Sequence, residues 1–211
     1  MPLDYQRDPE VIYQTSFAAV AKSVDLTALP KDMRAVALRI AHSYGDAAAL
    51  DDLRWSDGAA AAGRAALASG ASILADARMV DDGIIRRALP AENPVMCTLS
   101  MGSVHGLAAR GRTTRSAAAV ELWEPWLAGA VVVIGNAPTA LFRLLEGLAA
   151  GWSQPALIVG MPVGYVGATE AKDALIDTEP APYIALAGRR GGSAAAAATV
   201  NALAREPDVD A

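Results

Sequence analysis

Residues 130–141 read AVVVIGNAPTAL, a short β-branched run that breaks on glycine and restarts as a helix. The same pattern returns in ALIVGMPVGYVGATEAK (156–172) and in YIALAGRRGGSA (183–194). Such runs are typical of strands that a parallel sheet buries on both faces. Glycine lets the backbone turn sharply, and the helix that follows offers free N–H groups to an anion. Because parallel strands end at one edge of the sheet, the three turns predict an anion-binding edge there.

Two more strands are predicted upstream of these turns, in SILAD (72–76) and in PVMCTL (94–99). Asp76 is expected to cap a short helix that runs through Val80. Five strands that alternate with helices predict an α/β fold, with a mostly parallel five-stranded sheet covered by helices on both faces.

The segment before this sheet, about residues 8–70, is predicted to be helical. Asp8 and Pro9 have the residue types of an N-cap and a first helical position. A second helix is predicted from Pro30 to Gly45, and a third, rich in alanine, from an N-cap at Ser56.

The composition is that of one globular domain. The chain has 211 residues, of which 53% are hydrophobic, and its mean hydropathy is +0.26. Alanine supplies most of this excess, and AVVVI is too short to cross a bilayer. The first ten residues are charged, unlike a signal peptide, and Cys97 has no partner cysteine for a disulfide. We therefore expect a cytoplasmic protein with a single domain over residues 1–211, whose α/β core covers about 71–205.

The charge pattern argues against several classes of function. The net charge is −5 and the sequence has no basic block, so nucleic acid is not an expected partner. Two histidines and one cysteine without CxxC or HExxH spacing exclude a histidine-rich metal site. None of the glycine turns matches GxGxxG or GxxxxGK[ST], so a nucleotide is a poor candidate ligand.

His42 is the first candidate for proton chemistry. Histidine is the side chain best suited to exchange protons near neutral pH. The alternative is a histidine that stabilises the C-terminal end of its helix, which is the commoner case. Arg39 lies three residues earlier, so both side chains share one face of the predicted helix, where Arg39 can anchor an acidic substrate.

Candidate anion ligands recur near the glycine turns. Arg115 and Ser116 lie at a predicted helix start that Thr113 or Thr114 would cap, and ordinary helix capping is the alternative role there. Lys172 closes the second turn, where a solvated helix face is the alternative. Arg189 and Arg190 are better candidates, because they lie inside the third turn itself. His105 is expected in a loop, as a surface histidine.

Seven segments, taken together in this order and spacing, resemble one known family, precorrin-8X methylmutase (also called cobalt-precorrin-8 methylmutase). They are IYQTSFA (12–18), ALRIAHSYG (37–45), ARMV (77–80), TRSAAA (114–119), IGNAPTALF (134–142), GMPVGYVGA (160–168) and GRRGGSA (188–194). The resemblance covers almost the whole chain. Four positions depart from the family's usual residues, namely Ile85, Thr113, Ala171 and Arg190.

The resemblance implies an isomerase of cobalamin biosynthesis that moves a methyl group from C-11 to C-12 of a corrinoid ring without a cofactor. The family's histidine corresponds to His42, which would exchange the proton, and its substrate-contacting serine and arginine correspond to Ser16 and Arg39. The further residues predicted to bind the substrate are Arg115, Ser116, Asn136, Gly164, Lys172, Arg189 and Ser193. The family also implies a flavodoxin-like fold of three layers and a homodimer with its site near the subunit interface.

Two other functions stay open at this point. A corrinoid carrier of the same fold would bind the ring without shifting its methyl group, and an unrelated nucleotide-binding enzyme would share only the α/β pattern. A rate assay separates the first from an isomerase, and thermal stabilisation by nucleotides identifies the second.

Overall fold

A six-stranded sheet runs through the centre of the computed structural model, which describes residues 3–205. Its order is β1-β6-β5-β4-β2-β3. All neighbouring pairs are parallel except β1 and β6, which are antiparallel. The strands are β1 (Leu53–Trp55), β2 (Ile73–Ala75), β3 (Val95–Met96), β4 (Val131–Ile134), β5 (Leu157–Gly160) and β6 (Tyr183–Leu186).

The prediction of five strands is wrong by one. Strands β2 to β6 are the predicted ones, although β3 is shorter than the segment 94–99. Strand β1 lies inside the segment predicted to be helical, and its three residues pair with Leu186, Ala185 and Ile184 of β6. Its sequence, LRW, has a charged residue at its centre and no β-branched residue, so no local pattern marks it as a strand.

The strand order reverses direction between β2 and β4. Counted along the chain, the five parallel strands are arranged 2-1-3-4-5, because β3 pairs outside β2 while β4, β5 and β6 follow on its other side. A sheet of this kind opens a crevice at the carboxyl ends of the two strands where the order reverses. The glycine turn after β4 therefore lies at the point where a ligand is expected.

Helices cover both faces of the sheet, and alternate strand residues point to opposite cores. Val131 and Val133 pack with α2, α3, α4 and α9, whereas Val132 and Ile134 pack with α6, α7 and α8. The helices are α1 (Pro9–Ser23), α2 (Lys31–Tyr44), α3 (Ala59–Ala68), α4 (Arg78–Gly83), α5 (Gly102–Gly111), α6 (Arg115–Val120), α7 (Pro138–Ala149), α8 (Ala168–Thr178) and α9 (Ser193–Leu203).

The start of α1 and the end of α2 lie where the sequence predicts them. The Asp8 carboxylate accepts hydrogen bonds from the N–H groups of Glu10 and Val11, which confirms its role as N-cap of α1. Helix α2 ends at Gly45, whose φ of +67° is the left-handed conformation that glycine adopts without strain. These caps are local features, and this is why the sequence reveals them.

The third helix starts later than predicted. Its N-cap is Gly58, and the Ser56 hydroxyl instead accepts a hydrogen bond of 3.0 Å from the N–H of Tyr183. Of the two residues predicted to cap the helix that follows them, Thr114 is the N-cap of α6. This helix is predicted to run through Trp123 toward Leu127, but it ends at Val120 and a 3₁₀ helix follows over 121–126. Pro125 lies inside that segment and lacks the N–H that an α-helix would need there.

His105 lies on α5 and not in a loop, although its side chain is exposed as expected. Helix α1 packs on α2, yet within the described chain it buries none of its own residues. Its apolar residues Val11 and Ile12 are 40% and 47% exposed. Over residues 3–205, no helix combines the length and the apolar character needed to cross a membrane.

Candidate functional site

His42 lies in the last turn of α2 with an exposed side chain that helix α1 orients. Its Nδ1 is 3.0 Å from the Ser16 hydroxyl oxygen. The Phe17 ring stacks on the imidazole, with 4.6 Å between centroids and 19° between planes. One polar and one aromatic neighbour on consecutive residues of α1 thus fix both the direction and the tilt of the ring.

Because Ser16 engages Nδ1, Nε2 is the ring nitrogen that can meet a bound molecule. The hydroxyl donates to Nδ1 when the proton of a neutral imidazole is on Nε2, and accepts from it otherwise. In either case, the hydroxyl occupies Nδ1 and leaves Nε2 as the nitrogen that can give a proton to a bound molecule or take one from it.

Arg39 lies one helical turn before His42 and is held by the same helix. Its guanidinium donates a hydrogen bond of 2.7 Å to the Tyr13 hydroxyl, and its central carbon lies 5.3 Å from the Phe17 ring centroid. Arg205 donates to the same hydroxyl over 3.2 Å. Burial lowers the pKa of Arg39, although the guanidinium stays charged at any physiological pH. Two cations therefore converge on the Tyr13 hydroxyl, and one of them, Arg39, is on the same helix as His42.

Two grooves of about 290 Å³ each meet at His42. The first lies between α1 and the end of α2, and the second lies between α2 and α9. Arg39 lines the second groove only. The first is lined by Ser16, Ala19, Val20, Ser23, Ala41, His42, Gly45, Asp46 and Ala47, and the second by Arg39, His42, Ser43, Gly83, Ala194, Ala197, Ala198 and Asn201.

The turn after β4 contains its own anion. The Asp76 carboxylate follows β2 and accepts hydrogen bonds of 2.9, 3.0 and 2.7 Å from the N–H groups of Gly135, Asn136 and Ala137. Asp76 is 2% exposed, and this burial raises its pKa. The prediction that Asp76 caps α4 is wrong, because Ala77 is that N-cap. The amides of this turn are occupied by the protein itself, which corrects the expectation that all three turns offer N–H groups to a ligand.

The turns after β5 and β6 are joined to each other. The N–H of Gly192 donates to the carbonyl of Met161 over 2.8 Å, and the N–H of Gly164 donates to the carbonyl of Arg189 over 3.4 Å. The Arg189 guanidinium carbon lies 5.0 Å from the centroid of the Tyr165 ring, which is 85% exposed. These two turns form one continuous rim that presents an exposed cation and an aromatic ring.

Lys172 lies behind this rim and not on its surface. Its side chain is fully buried, and its ammonium donates to the carbonyl of Arg190. Burial lowers its pKa to about 8. The alternative role of Lys172, a solvated helix face, is therefore wrong. The prediction of Arg190 as an anion ligand is wrong in this structure, because its guanidinium is already paired with the Ala48 carbonyl at 2.6 Å and the Asp52 carboxylate at 3.1 Å.

Arg115 and Ser116 start α6, where the Thr114 hydroxyl accepts from the N–H of Ala117 over 3.1 Å. A contact of 2.7 Å between the Thr114 and Thr139 hydroxyls ties this helix start to the first turn of α7. Because α7 follows the turn after β4, this contact places the start of α6 near that turn. There Arg115 is exposed and Ser116 is half-buried.

The predicted site residues thus form groups. Ser16, Arg39 and His42 are together on α1 and α2. Gly164, Arg189 and Ser193 belong to the joined turns, and a Cβ on Gly135 would lie 2.9 Å from the Cα of Ser193, so the turn after β4 adjoins them. The four positions that depart from the usual family residues hold structural contacts or lie outside these groups. The N–H of Ile85 donates to the Asn201 side-chain oxygen, Thr113 is exposed, Ala171 is buried, and the Arg190 guanidinium contacts Ala48 and Asp52.

Three residues that shape the site are not identified by the sequence. Tyr13 and Phe17 recur at the helical spacing that is typical of an apolar face, and the only signal for another role is that this spacing places them on the same face as Ser16. Tyr44 belongs by its spacing to the apolar stripe of α2 and its side chain packs against the core, but its hydroxyl also contacts the turn after β6. A tyrosine in an apolar stripe carries a polar atom that needs a partner, but the sequence does not identify that partner.

Comparison with known proteins gives a consistent result. A family model described as precorrin-8X methylmutase matches residues 11–206. A precorrin-8X methylmutase from Pseudomonas aeruginosa is 55% identical over 97% of this chain and 99% of that protein. A cobalt-precorrin-8 methylmutase from Synechocystis is 36% identical over 89% of this chain and 91% of that protein.

A solved structure leads to the same family. The crystal structure of precorrin-8X methyl mutase from Thermus thermophilus has a TM-score of 0.83 and 37% sequence identity, and it covers 92% of this chain and 96% of its own. The match of the family model along most of the sequence and the agreement in three dimensions point the same way. The chain belongs to the precorrin-8X methylmutase family.

Proposed function

We propose that this protein is an isomerase that moves the methyl group on C-11 of precorrin-8X to C-12, giving hydrogenobyrinate in cobalamin biosynthesis, with His42 as its proton donor and acceptor. The observation that carries the proposal is the fixed, exposed imidazole of His42, held by Ser16 and Phe17 beside Arg39. A histidine in this setting can protonate a bound ring and recover the proton afterwards.

The reaction is an isomerisation, so its proton balance closes within one turnover. Nε2 of His42 gives a proton to the conjugated ring, or hydrogen-bonds to a ring nitrogen, and this changes the electron distribution so that the methyl group migrates with its bonding pair. The proton returns to His42 when the product forms. The methyl group never leaves the substrate, so the protein needs no group to carry it.

We assign binding of the ring's carboxylate arms to three arginines and to the rim formed by the turns after β5 and β6. Arg39, Arg115 and Arg189 supply the charge, because a guanidinium meets a carboxylate with two parallel hydrogen bonds. Ser16 contacts the substrate beside His42. Ser116, Asn136, Gly164 and Ser193 are assigned contacts along the rim. Lys172 acts from behind, by holding the Arg190 carbonyl.

The cobalt-free ring is the proposed natural substrate. The relative that shares 55% of its residues is named for precorrin-8X, and the relative named for cobalt-precorrin-8 shares 36%. Conversion of cobalt-precorrin-8 to cobyrinate at equal or higher efficiency would assign this protein to the cobalt-containing substrate instead.

A homodimer completes the proposal. Helix α1 leaves Val11 and Ile12 exposed, and the grooves at His42 are open and small for a whole tetrapyrrole. A second copy seated near α1 would cover this apolar surface and enclose the site. Light scattering should then give twice the mass of the chain.

We also propose that the chain is a single flavodoxin-like domain, which the strand order 2-1-3-4-5 supports. The proposed location is the cytoplasm.

The direct test is conversion of purified precorrin-8X, followed by the absorption spectrum of the ring. The proposal expects catalytic turnover without an added cofactor. A corrinoid carrier would bind the ring tightly and leave its spectrum unshifted by any reaction. A nucleotide-binding enzyme would be stabilised against heat by nucleotides and not by corrinoids. Either of these two results would reject the isomerase.

A further inference from the structure

Tyr44 links the helix that carries His42 to the turn after β6. It is the last residue of α2, two residues after His42. Its hydroxyl accepts a hydrogen bond of 2.6 Å from the N–H of Gly191 and donates to the carbonyl of the same residue. One side-chain atom therefore satisfies both polar groups of a single peptide position on the other side of the site.

The turn after β6, to which Tyr44 is hydrogen-bonded, is itself fixed to the rest of the sheet edge. A Cβ on Gly191, where φ is +159°, would lie 2.3 Å from the carbonyl oxygen of Met161, so the backbones of the two turns touch directly. Gly192 donates to the same carbonyl, and Lys172 of α8 donates to Arg190. The turn can move only if several contacts with β5 and α8 break together.

The opposite end of the link is the site itself. His42 and Arg39 sit on the final turns of α2, and Ser193 begins α9 two residues after Gly191. The second groove is bounded by these two helices. The separation between His42 and the rim thus depends on how the end of α2 is held against the turn, and Tyr44 supplies a pair of hydrogen bonds at that place.

We propose that Tyr44 is a positioning residue for the methyl shift, which sets the distance between His42 and the rim that binds the carboxylate arms. This inference rests on the proposed function. A proton donor misplaced by about 1 Å can cost on the order of 100-fold in rate, so a small movement at the end of α2 matters. Burial raises the pKa of Tyr44, which keeps its hydroxyl protonated and able to donate.

Tyr44→Phe tests the inference because it removes the hydroxyl and keeps the ring. We expect kcat to fall roughly ten-fold, while KM and the dissociation constant of the product hydrogenobyrinate stay within about two-fold of wild type. Tyr183→Phe is the matched control. Tyr183 is a buried tyrosine on β6 whose hydroxyl makes no hydrogen bond within residues 3–205, and its removal should leave kcat unchanged.

Three outcomes overturn the inference: a kcat within two-fold of wild type, an equal loss of kcat and of product affinity, or a variant that does not fold. The last two assign Tyr44 a structural role. If wild-type protein itself fails to convert precorrin-8X, the proposed function is rejected, and that failure is visible before any variant is compared.

Discussion

A single imidazole carries the chemistry assigned to this protein, and its neighbours determine how well it can do so. Ser16 contacts Nδ1, Phe17 stacks on the ring, and Tyr13 holds Arg39 one turn away. All three come from consecutive turns of one exposed helix. The order of the site therefore depends on α1 staying on α2.

Ser16→Ala should lower kcat by roughly two- to ten-fold, because the hydrogen bond to Nδ1 contributes about 0.5–1.5 kcal/mol to holding the ring in its orientation. Steady-state conversion of precorrin-8X measures this. Thr15→Ala, at an exposed position one residue earlier on α1, is the control. A kcat equal to that of wild type in Ser16→Ala would remove Ser16 from the mechanism.

His42 and Arg39 could be identified from the sequence because they share a helix face and a recognisable motif. Tyr13 and Phe17 could not, since aromatic residues at helical spacing are more often core than site. Their role depends on the absence of a covering element over α1 in the described chain, and a helical pattern alone does not reveal which face stays uncovered.

The three glycine turns have similar sequences but make different contacts. The N–H groups of the turn after β4 donate to the Asp76 carboxylate, whereas the turns after β5 and β6 are hydrogen-bonded to each other and to Lys172. Asp76 sits one residue beyond β2, and only the pairing of β2 with β4 brings it to Gly135. The sequence shows the residue but not this long-range partner.

Asp76→Asn should destabilise the fold by about 1–3 kcal/mol. Three backbone N–H groups now donate to the carboxylate, and the amide would point its own N–H group at one of them, so that hydrogen bond would be lost. Urea unfolding measures the loss. Asp82→Asn, at an exposed position on α4, controls for the change in net charge. Equal midpoints for the two variants would contradict the role of Asp76.

Lys172 gives the unfolding free energy a predictable pH dependence. Its pKa is about 8 in the fold, against an ordinary value of 10.5. Between these values the unfolded chain holds the proton and the folded chain does not, so this group makes stability rise as pH increases through that window. Below about pH 8 both states hold the proton and the dependence ends.

Lys172→Met should abolish this contribution. The unfolding free energies of wild type and variant are measured in denaturant from pH 7.5 to 10.5. The value for wild type minus the value for the variant should increase as pH rises. Lys22→Met, at an exposed position on α1, should follow the wild-type curve. Parallel curves for wild type and Lys172→Met would show that the ammonium is not buried in solution.

At the scale of the whole molecule, the sequence predicts the parallel sheet, the order of most elements and the chemistry, but not the way the parts meet. The β-branched runs and glycine turns are local signals, so β2, β4, β5 and β6 are found. Strand β1 is missed because three residues become a strand only by pairing with β6. The contact of Tyr44 with Gly191 spans most of the chain and has no local signal.

Single-turnover conversion of precorrin-8X by His42→Ala tests whether His42 performs the proton exchange in the methyl shift. We expect a folded variant that binds hydrogenobyrinate but converts the substrate about 100-fold or more slowly than wild type. His105→Ala, which removes the exposed histidine of α5, should convert it like wild type. Wild-type turnover by His42→Ala would exclude His42 as the proton donor.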